Sequence, residues 1–156
     1  MNRIGFGKRF IAAIFDVIIL VLLLHLLSWI LGSDIMRSPV DLKGGIQAFQ
    51  FSHLLVVLLY FTMEIFLAAT PGKLALRLKI KNENNQAASA QTLLIRYLVK
   101  HSGNIFTLLF ILTQVRIFWF LSTITGFIVF IGCFMVFTAS RQALHDKIAK
   151  TAVYQS

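Results

Sequence analysis

The feature that most constrains this chain is a long apolar run near its start. Residues 10–31 are apolar except for Asp16, His25 and Ser28. A helix needs about 20 mostly apolar residues to cross the roughly 30 Å hydrocarbon core of a bilayer. The preceding basic pair resembles the start of a signal peptide, but the run is too long, contains an acid and has no clear small-residue cleavage site. We therefore expect a membrane-spanning helix that the mature protein retains.

Further apolar segments extend this pattern through the chain. The composition agrees, with 58% hydrophobic and 13% charged residues, against about 45–50% and 25% in soluble proteins. A polar loop around Pro39 follows the first segment, and Pro71 ends the second. We predict a single domain over residues 1–156, an all-α integral membrane protein built as a bundle of four hydrophobic helices. The predicted helices cover about 10–31, 46–69, 93–113 and 117–139.

The basic residues predict the orientation. Segment 93–113 either crosses the membrane or lies on its surface, because its first half contains Arg96, Lys100 and His101. If it crosses, 12 of the 15 Lys and Arg residues share one side, and the positive-inside rule places both termini in the cytoplasm. If it lies on the surface, the basic tail falls outside. We favour crossing, which explains the net charge of +9 without a nucleic-acid partner and leaves the lipid bilayer as the expected environment.

A short basic ribbon is predicted between the second and third helices. Apolar residues alternate with small and basic ones over residues 74–81, which is the period of a strand. The predicted lipid or partner surface consists of Lys73, Arg77, Lys79 and Lys81. It either touches lipid phosphates or binds a specific anionic ligand or partner. Residues 151–154 are β-prone, and we predict that they lie beside residues 76–80.

Three ordered motifs resemble those of the RDD family of membrane proteins. The first contains Arg9 and Asp16, the second is Thr70-Pro71-Gly72-Lys73, and the third is residues 141–146, ending in Asp146. Arg96 matches an arginine that follows the second motif. The chain departs from the family at Leu76-Arg77, where a glycine is expected in the strand.

This resemblance covers nearly the whole chain and implies a fold more firmly than an activity. The family has no firmly established general activity, although transport of cations or small solutes has been proposed within it. The resemblance also implies a multi-pass protein of a bacterial cytoplasmic membrane. It further implies that Arg9, Asp16 and Asp146 form the family's motif residues.

These three residues are the first candidate site. Arg9 and Asp16 are seven positions apart, so they lie within about 20° of one helix face and about 10 Å apart along the axis. Asp146 is expected on the same side of the membrane. The three side chains form either a structural clasp between the first helix and the tail, which we favour, or an ion-coupled site.

Glu64 is the second candidate, at a depth similar to that of Asp16. Two carboxylates at one level suit proton or cation coupling, with His53 on the same helix face as Glu64. The favoured alternative is an ion pair from Glu64 to Arg96 or Lys100. Arg141, at the start of the third motif, is a further basic residue available for pairing.

Other patterns bear on packing and chemistry. Ser122 and Gly126 form a small-xxx-small pair, which suits packing within the chain better than dimerisation. No dinucleotide loop, P-loop, zinc set or protease motif is present. We therefore expect neither an enzyme nor a cofactor or metal.

Two functional hypotheses remain. The first is transport of a cation or small solute coupled to protons through Asp16 and Glu64, which predicts a homo-oligomer because so few spans rarely enclose a pathway. The second is a membrane module without transport, which binds another membrane protein or lipid headgroups. The family proposal inclines the sequence towards transport.

Overall fold

The computed structural model describes residues 3–30 and 45–156, and for residues 45–50 it describes the backbone only. The predicted polar loop around Pro39 lies outside these residues. The fold is mostly helical and includes one two-stranded sheet. Its elements are α1 (Phe6–Ile30), α2 (Gly45–Phe61), α3 (Met63–Leu67), α4 (Pro71–Ala75), β1 (Leu78–Asn82), α5 (Ala90–Lys100), α6 (Ser102–Thr113), α7 (Arg116–Cys133), a 3-10 turn (Phe134–Phe137), α8 (Leu144–Ile148) and β2 (Thr151–Gln155).

Two stretches of the described chain are long and apolar enough to cross a membrane. They are α1, with a mean hydropathy of 2.9, and α7 continued by the 3-10 turn, with a mean hydropathy of 2.3. Apolar helices over Phe51–Leu67 and Ser102–Thr113 are shorter. The predicted spans 10–31 and 117–139 thus correspond to full-length candidates. Crossing by 46–69 and 93–113 stays a prediction.

The predicted helix 93–113 is two helices. His101 ends α5 with φ −105° and ψ 14°, which lies outside the helical region, and α6 begins directly after it. The polar half therefore belongs to α5, which begins at the capping residue Ser89. With twelve residues, α6 is only about 18 Å long, shorter than the hydrocarbon core.

The predicted ribbon is also divided, and its pairing with the tail is confirmed. Residues 71–75 form helix α4, because Thr70 caps the helix and Pro71 occupies its first position. The strand is limited to β1, which pairs antiparallel with β2, opposing Ile80 to Val153. Between helix and strand, Arg77 has a left-handed φ of 53°.

The start of the chain joins the same end of the molecule. The amide of Ile4 donates to the carbonyl of Val153 at 2.9 Å, and Arg3 forms a bridge with Tyr154. Ile4, Leu78 and Val153 belong to one buried cluster of apolar residues. The beginning, middle and end of the chain are therefore held together here.

Helices α6 and α7 form a hairpin. A Cβ at Gly103 would lie 3.1 Å from the Cα of Gly126, and the hydroxyls of Thr107 and Ser122 are 2.6 Å apart. The small residues of α7 thus permit close packing within the chain, as predicted.

Candidate functional site

A buried group of ionisable side chains lies where α1 meets α3, α4, α5 and α8. We call it the charged cluster. Its members are Arg9, Asp16, Glu64, Lys73, Arg96, Lys100 and Asp146. Asp16, Glu64, Arg96 and Asp146 are each at most 5% exposed.

The turn into α4 organises one side of the cluster. The hydroxyl of Thr70 accepts from the amide of Lys73 at 3.3 Å and donates to a carboxylate oxygen of Asp16 at 2.6 Å. The amide of Gly72 donates to the other oxygen of Asp16 at 2.8 Å. Each polar group of this turn therefore either caps α4 or binds the acid of α1.

Gly72 permits this contact because it lacks a side chain. A Cβ built there would lie 2.2 Å from the carbonyl oxygen of Ala12 and 2.9 Å from Cγ of Asp16. Real Cβ atoms do not approach backbone so closely, and α1 cannot yield without losing its packing. The second sequence motif therefore brings α4 against α1 at a place where only glycine fits.

Glu64 lies at the centre of the second part of the cluster. Its Oε1 accepts from Lys73 and, at 3.0 Å, from Lys100. Its Oε2 accepts from Nη1 of Arg96 at 2.6 Å. The expected pairing of Glu64 with Arg96 and Lys100 is present, with Lys73 as an additional partner.

Arg96 connects Glu64 to the tail. Its Nε donates to Oδ1 of Asp146 at 2.8 Å, while Nη1 of Arg9 donates to Oδ2 of Asp146 at 2.5 Å. The same Oδ2 accepts from the amide of Ala143 at the start of α8. One arginine thus bridges two buried carboxylates, and Asp146 joins α1, α5 and α8.

The surroundings alter the pKa values of groups next to the spans. Burial lowers the pKa of Lys73 from 10.5 to about 7, despite the attraction of Glu64. Burial would raise the pKa of Asp146, but Arg96 and Arg9 outweigh it and hold that pKa well below its usual range. Burial also lowers the pKa of His145 to about 3, so its imidazole is neutral.

The family motif residues have other partners than their spacing in the sequence suggests. Arg9 does not pair with Asp16 but reaches Asp146 and the carbonyl of Arg141. Asp16 instead accepts from Tyr60, at 2.8 Å, and from the turn into α4. Arg141 directs its guanidinium to the carbonyl of Arg3, away from the carboxylates.

Two further expectations change. Lys73 is only 9% exposed and pairs with Glu64, so it does not belong to the basic surface. Arg77 and Lys79 are exposed, while Lys81 is half-buried and donates to Asn85. His53 lies on α2 and Glu64 on α3, so a role for His53 beside Glu64 stays a prediction.

Sequence reasoning missed two organising residues. Tyr60 was not identified as a partner of Asp16. Buried Gln142 accepts from Arg3 and donates both to Glu83, at 2.8 Å, and to the carbonyl of Thr151, at 2.7 Å. Both residues bond to partners more than forty positions away, which no local pattern reveals.

Comparison with known proteins agrees with these motifs. Searches of curated proteins and of solved structures find no match for this chain. The model of the RDD family matches residues 3–150, which include the three motifs and the whole charged cluster. The chain therefore belongs to the RDD family.

Proposed function

We propose that this chain is a non-enzymatic membrane module without transport of its own. Its charged cluster fixes the fold at the cytoplasmic end. Its basic surface, defined as Arg77, Lys79 and Lys81, binds lipid headgroups or another membrane protein. The module needs no path across the bilayer and no second copy.

The observation that carries this proposal is the use of all six carboxylate oxygens in the charged cluster. Both oxygens of Asp16 accept from neutral donors of the protein. Those of Glu64 and Asp146 accept from lysine and arginine side chains. A buried ion pair that loses one partner leaves an uncompensated charge, at a cost of about 3–5 kcal/mol. These contacts therefore favour a permanent structural role.

Coupled transport of a cation or small solute is the competing hypothesis. A cation at Glu64 would have to replace one of three basic partners. This requirement favours the module over the transporter.

The arrangement of the chain ends supports the proposed topology. Arg3 and Ile4 contact the last strand, and that strand pairs with β1. Both termini and the basic surface therefore lie at one end of the molecule. With the excess of Lys and Arg there, this end is proposed to face the cytoplasm of a bacterial cell.

Ion flux in sealed liposomes tests the proposal. Purified protein is reconstituted into liposomes that enclose a pH-sensitive dye. Gradients of Na⁺, K⁺ or Li⁺ are then imposed, with an ionophore as the positive control. We expect no protein-dependent proton flux. Flux that a folded Asp16→Asn or Glu64→Gln variant abolishes would overturn the proposal and establish coupled transport.

A photo-crosslinking residue at Lys79 tests the basic surface in cell membranes. The control protein carries the photo-crosslinking residue in place of Arg116, which is exposed at the start of α7. We expect a lipid or protein adduct at position 79 well above that at position 116. Equal yields would remove the basic surface from the proposal.

A further inference from the structure

A cavity of about 290 Å³ lies beside the charged cluster. One wall is a face of α1, formed by Phe6, Phe10, Ala13 and Val17, and Val136 contributes from the 3-10 turn. Phe10 and Val17 are 53% and 58% exposed, so this wall continues onto the apolar surface of α1. The cavity is near the lower end of the roughly 300–1,000 Å³ typical of small-molecule sites. It therefore suits a phosphate together with part of one acyl chain.

Four basic side chains also line the cavity. Arg9, Lys73, Arg96 and Lys100 all line it, and Asp16 is the acidic residue among the lining side chains. An apolar wall together with basic side chains matches an amphiphile with a negatively charged head.

The charge balance of the cluster also favours an anion. Fully ionised, its four basic residues face three carboxylates and leave one surplus positive charge. A surplus charge at a buried position is unfavourable. A bound anion would neutralise it and allow Lys73 to keep its proton.

His145 adds an independent indication of a ligand. Its imidazole lines the cavity and is 94% buried, since its exposed fraction is 6%. Its Nδ1 has no hydrogen-bond partner among the described residues. Buried polar groups normally have partners, so this nitrogen indicates a hydrogen-bond partner that the described residues do not supply.

We propose that the cavity binds one anionic phospholipid of the surrounding bilayer. The phosphate lies among the basic side chains beside His145, and part of an acyl chain lies along Ala13 and Val17 of α1. This site is separate from the basic surface, so the inference goes beyond the proposed function and does not depend on the flux result.

Lipid binding to delipidated protein in a nonionic detergent tests this inference. The probes are phosphatidylglycerol, phosphatidylcholine with the same acyl chains, and free glycerol phosphate, detected by native mass spectrometry and by the shift in Tm. We expect one phosphatidylglycerol per chain, bound at least tenfold more tightly than phosphatidylcholine. Free glycerol phosphate should not bind at the same concentration.

Variants that fill the cavity assign the site. Ala13→Trp and Val17→Trp should each reduce phosphatidylglycerol binding at least tenfold. Ile14→Trp, at an exposed α1 position outside the cavity lining, should bind as wild type does. Because both filled positions are exposed, the fold should be retained, as an unchanged lipid-free Tm would verify.

Any of three results would overturn the inference. One is equal affinity for the two phospholipids, which would leave only nonspecific acyl contact. Another is undiminished binding by both filled variants in their folded state, which would place the lipid elsewhere. Binding of free glycerol phosphate as tight as that of the lipid would also contradict it, because the α1 wall would then contribute nothing.

Discussion

The charged cluster and the apolar spans are specified in different ways. In the cluster, carboxylates are nearly inaccessible and bond to residues as far as 137 positions away in the sequence. In the windows that define the two candidate spans, only 17% and 11% of residues are buried, and α7 packs chiefly against the adjacent α6. A span needs only sufficient length and apolarity, whereas the cluster needs individual atoms in place. Substitutions should therefore have much larger effects in the cluster.

The largest effect is expected for Arg96→Met. This change leaves Oε2 of Glu64 and Oδ1 of Asp146 without their buried basic partner, which should lower the free energy of unfolding by about 3–5 kcal/mol. Reversible unfolding in mixed micelles measures it. Arg116→Met, which removes an exposed arginine at the start of α7, is the control and should change stability by less than about 0.5 kcal/mol. Equal effects of the two changes would remove the distinction between the regions.

Gly72→Ala should follow in size. The added methyl overlaps the backbone of α1, so α4 must move away and weaken the bonds to Asp16, at a cost of about 2–3 kcal/mol. In the control Gly7→Ala, the new Cβ meets no atom within 4 Å, and improved helix propensity should add up to about 1 kcal/mol. A tolerated Gly72→Ala would show that α1 and α4 are not packed as described.

The pH dependence of Lys73 gives an intermediate effect. Its pKa is about 7 in the folded protein and 10.5 ordinarily, so between these values the unfolded chain binds more protons. The contribution of Lys73 to stability therefore rises with pH through this window and is lost as pH falls through 7. Unfolding of wild type and Lys73→Met should be compared from pH 6.5 to 9. The difference between their free energies of unfolding should grow by up to about 1.4 kcal/mol per pH unit above pH 7. Stability curves of the two proteins that run parallel with pH would contradict the lowered pKa.

The smallest effect is expected for Arg77→Gly. Arg77 has a φ of 53°, a backbone conformation that costs a residue with a side chain about 1–2 kcal/mol. Glycine removes this strain, but part of the gain is lost because glycine makes the unfolded chain more flexible. A net stabilisation of about 0.5 kcal/mol should result. Arg77→Ala retains the strain and should give no gain, which separates backbone relief from loss of charge.

Local patterns predicted several features of this fold. The spans around 10–31 and 117–139 follow from apolar length alone. The pairing of the tail with the ribbon followed from two short β-prone segments and is confirmed by the opposition of Ile80 to Val153. The alternation was wrong over residues 74 and 75, because a capping threonine and a proline start helix α4, which includes both residues.

The charged cluster was less predictable because its contacts are distant in sequence. Helical spacing placed Arg9 and Asp16 on one face, yet each has nearer partners supplied by other elements. The sequence pattern predicted that Lys73 belongs to a basic surface, but the turn capped by Thr70 directs its side chain to buried Glu64. The motif residues were identifiable from the sequence, whereas their partners required the fold.

The most direct test of this account is a pair of double-mutant cycles sharing Arg9. The first combines Arg9→Gln with Asp146→Asn, and the second combines Arg9→Gln with Asp16→Asn, each measured by unfolding in mixed micelles. Residues in direct contact show coupling energies of about 0.5–3 kcal/mol. We expect coupling of about 2 kcal/mol between Arg9 and Asp146 and additivity between Arg9 and Asp16. Coupling of Arg9 to Asp16, with none to Asp146, would contradict the charged cluster as described.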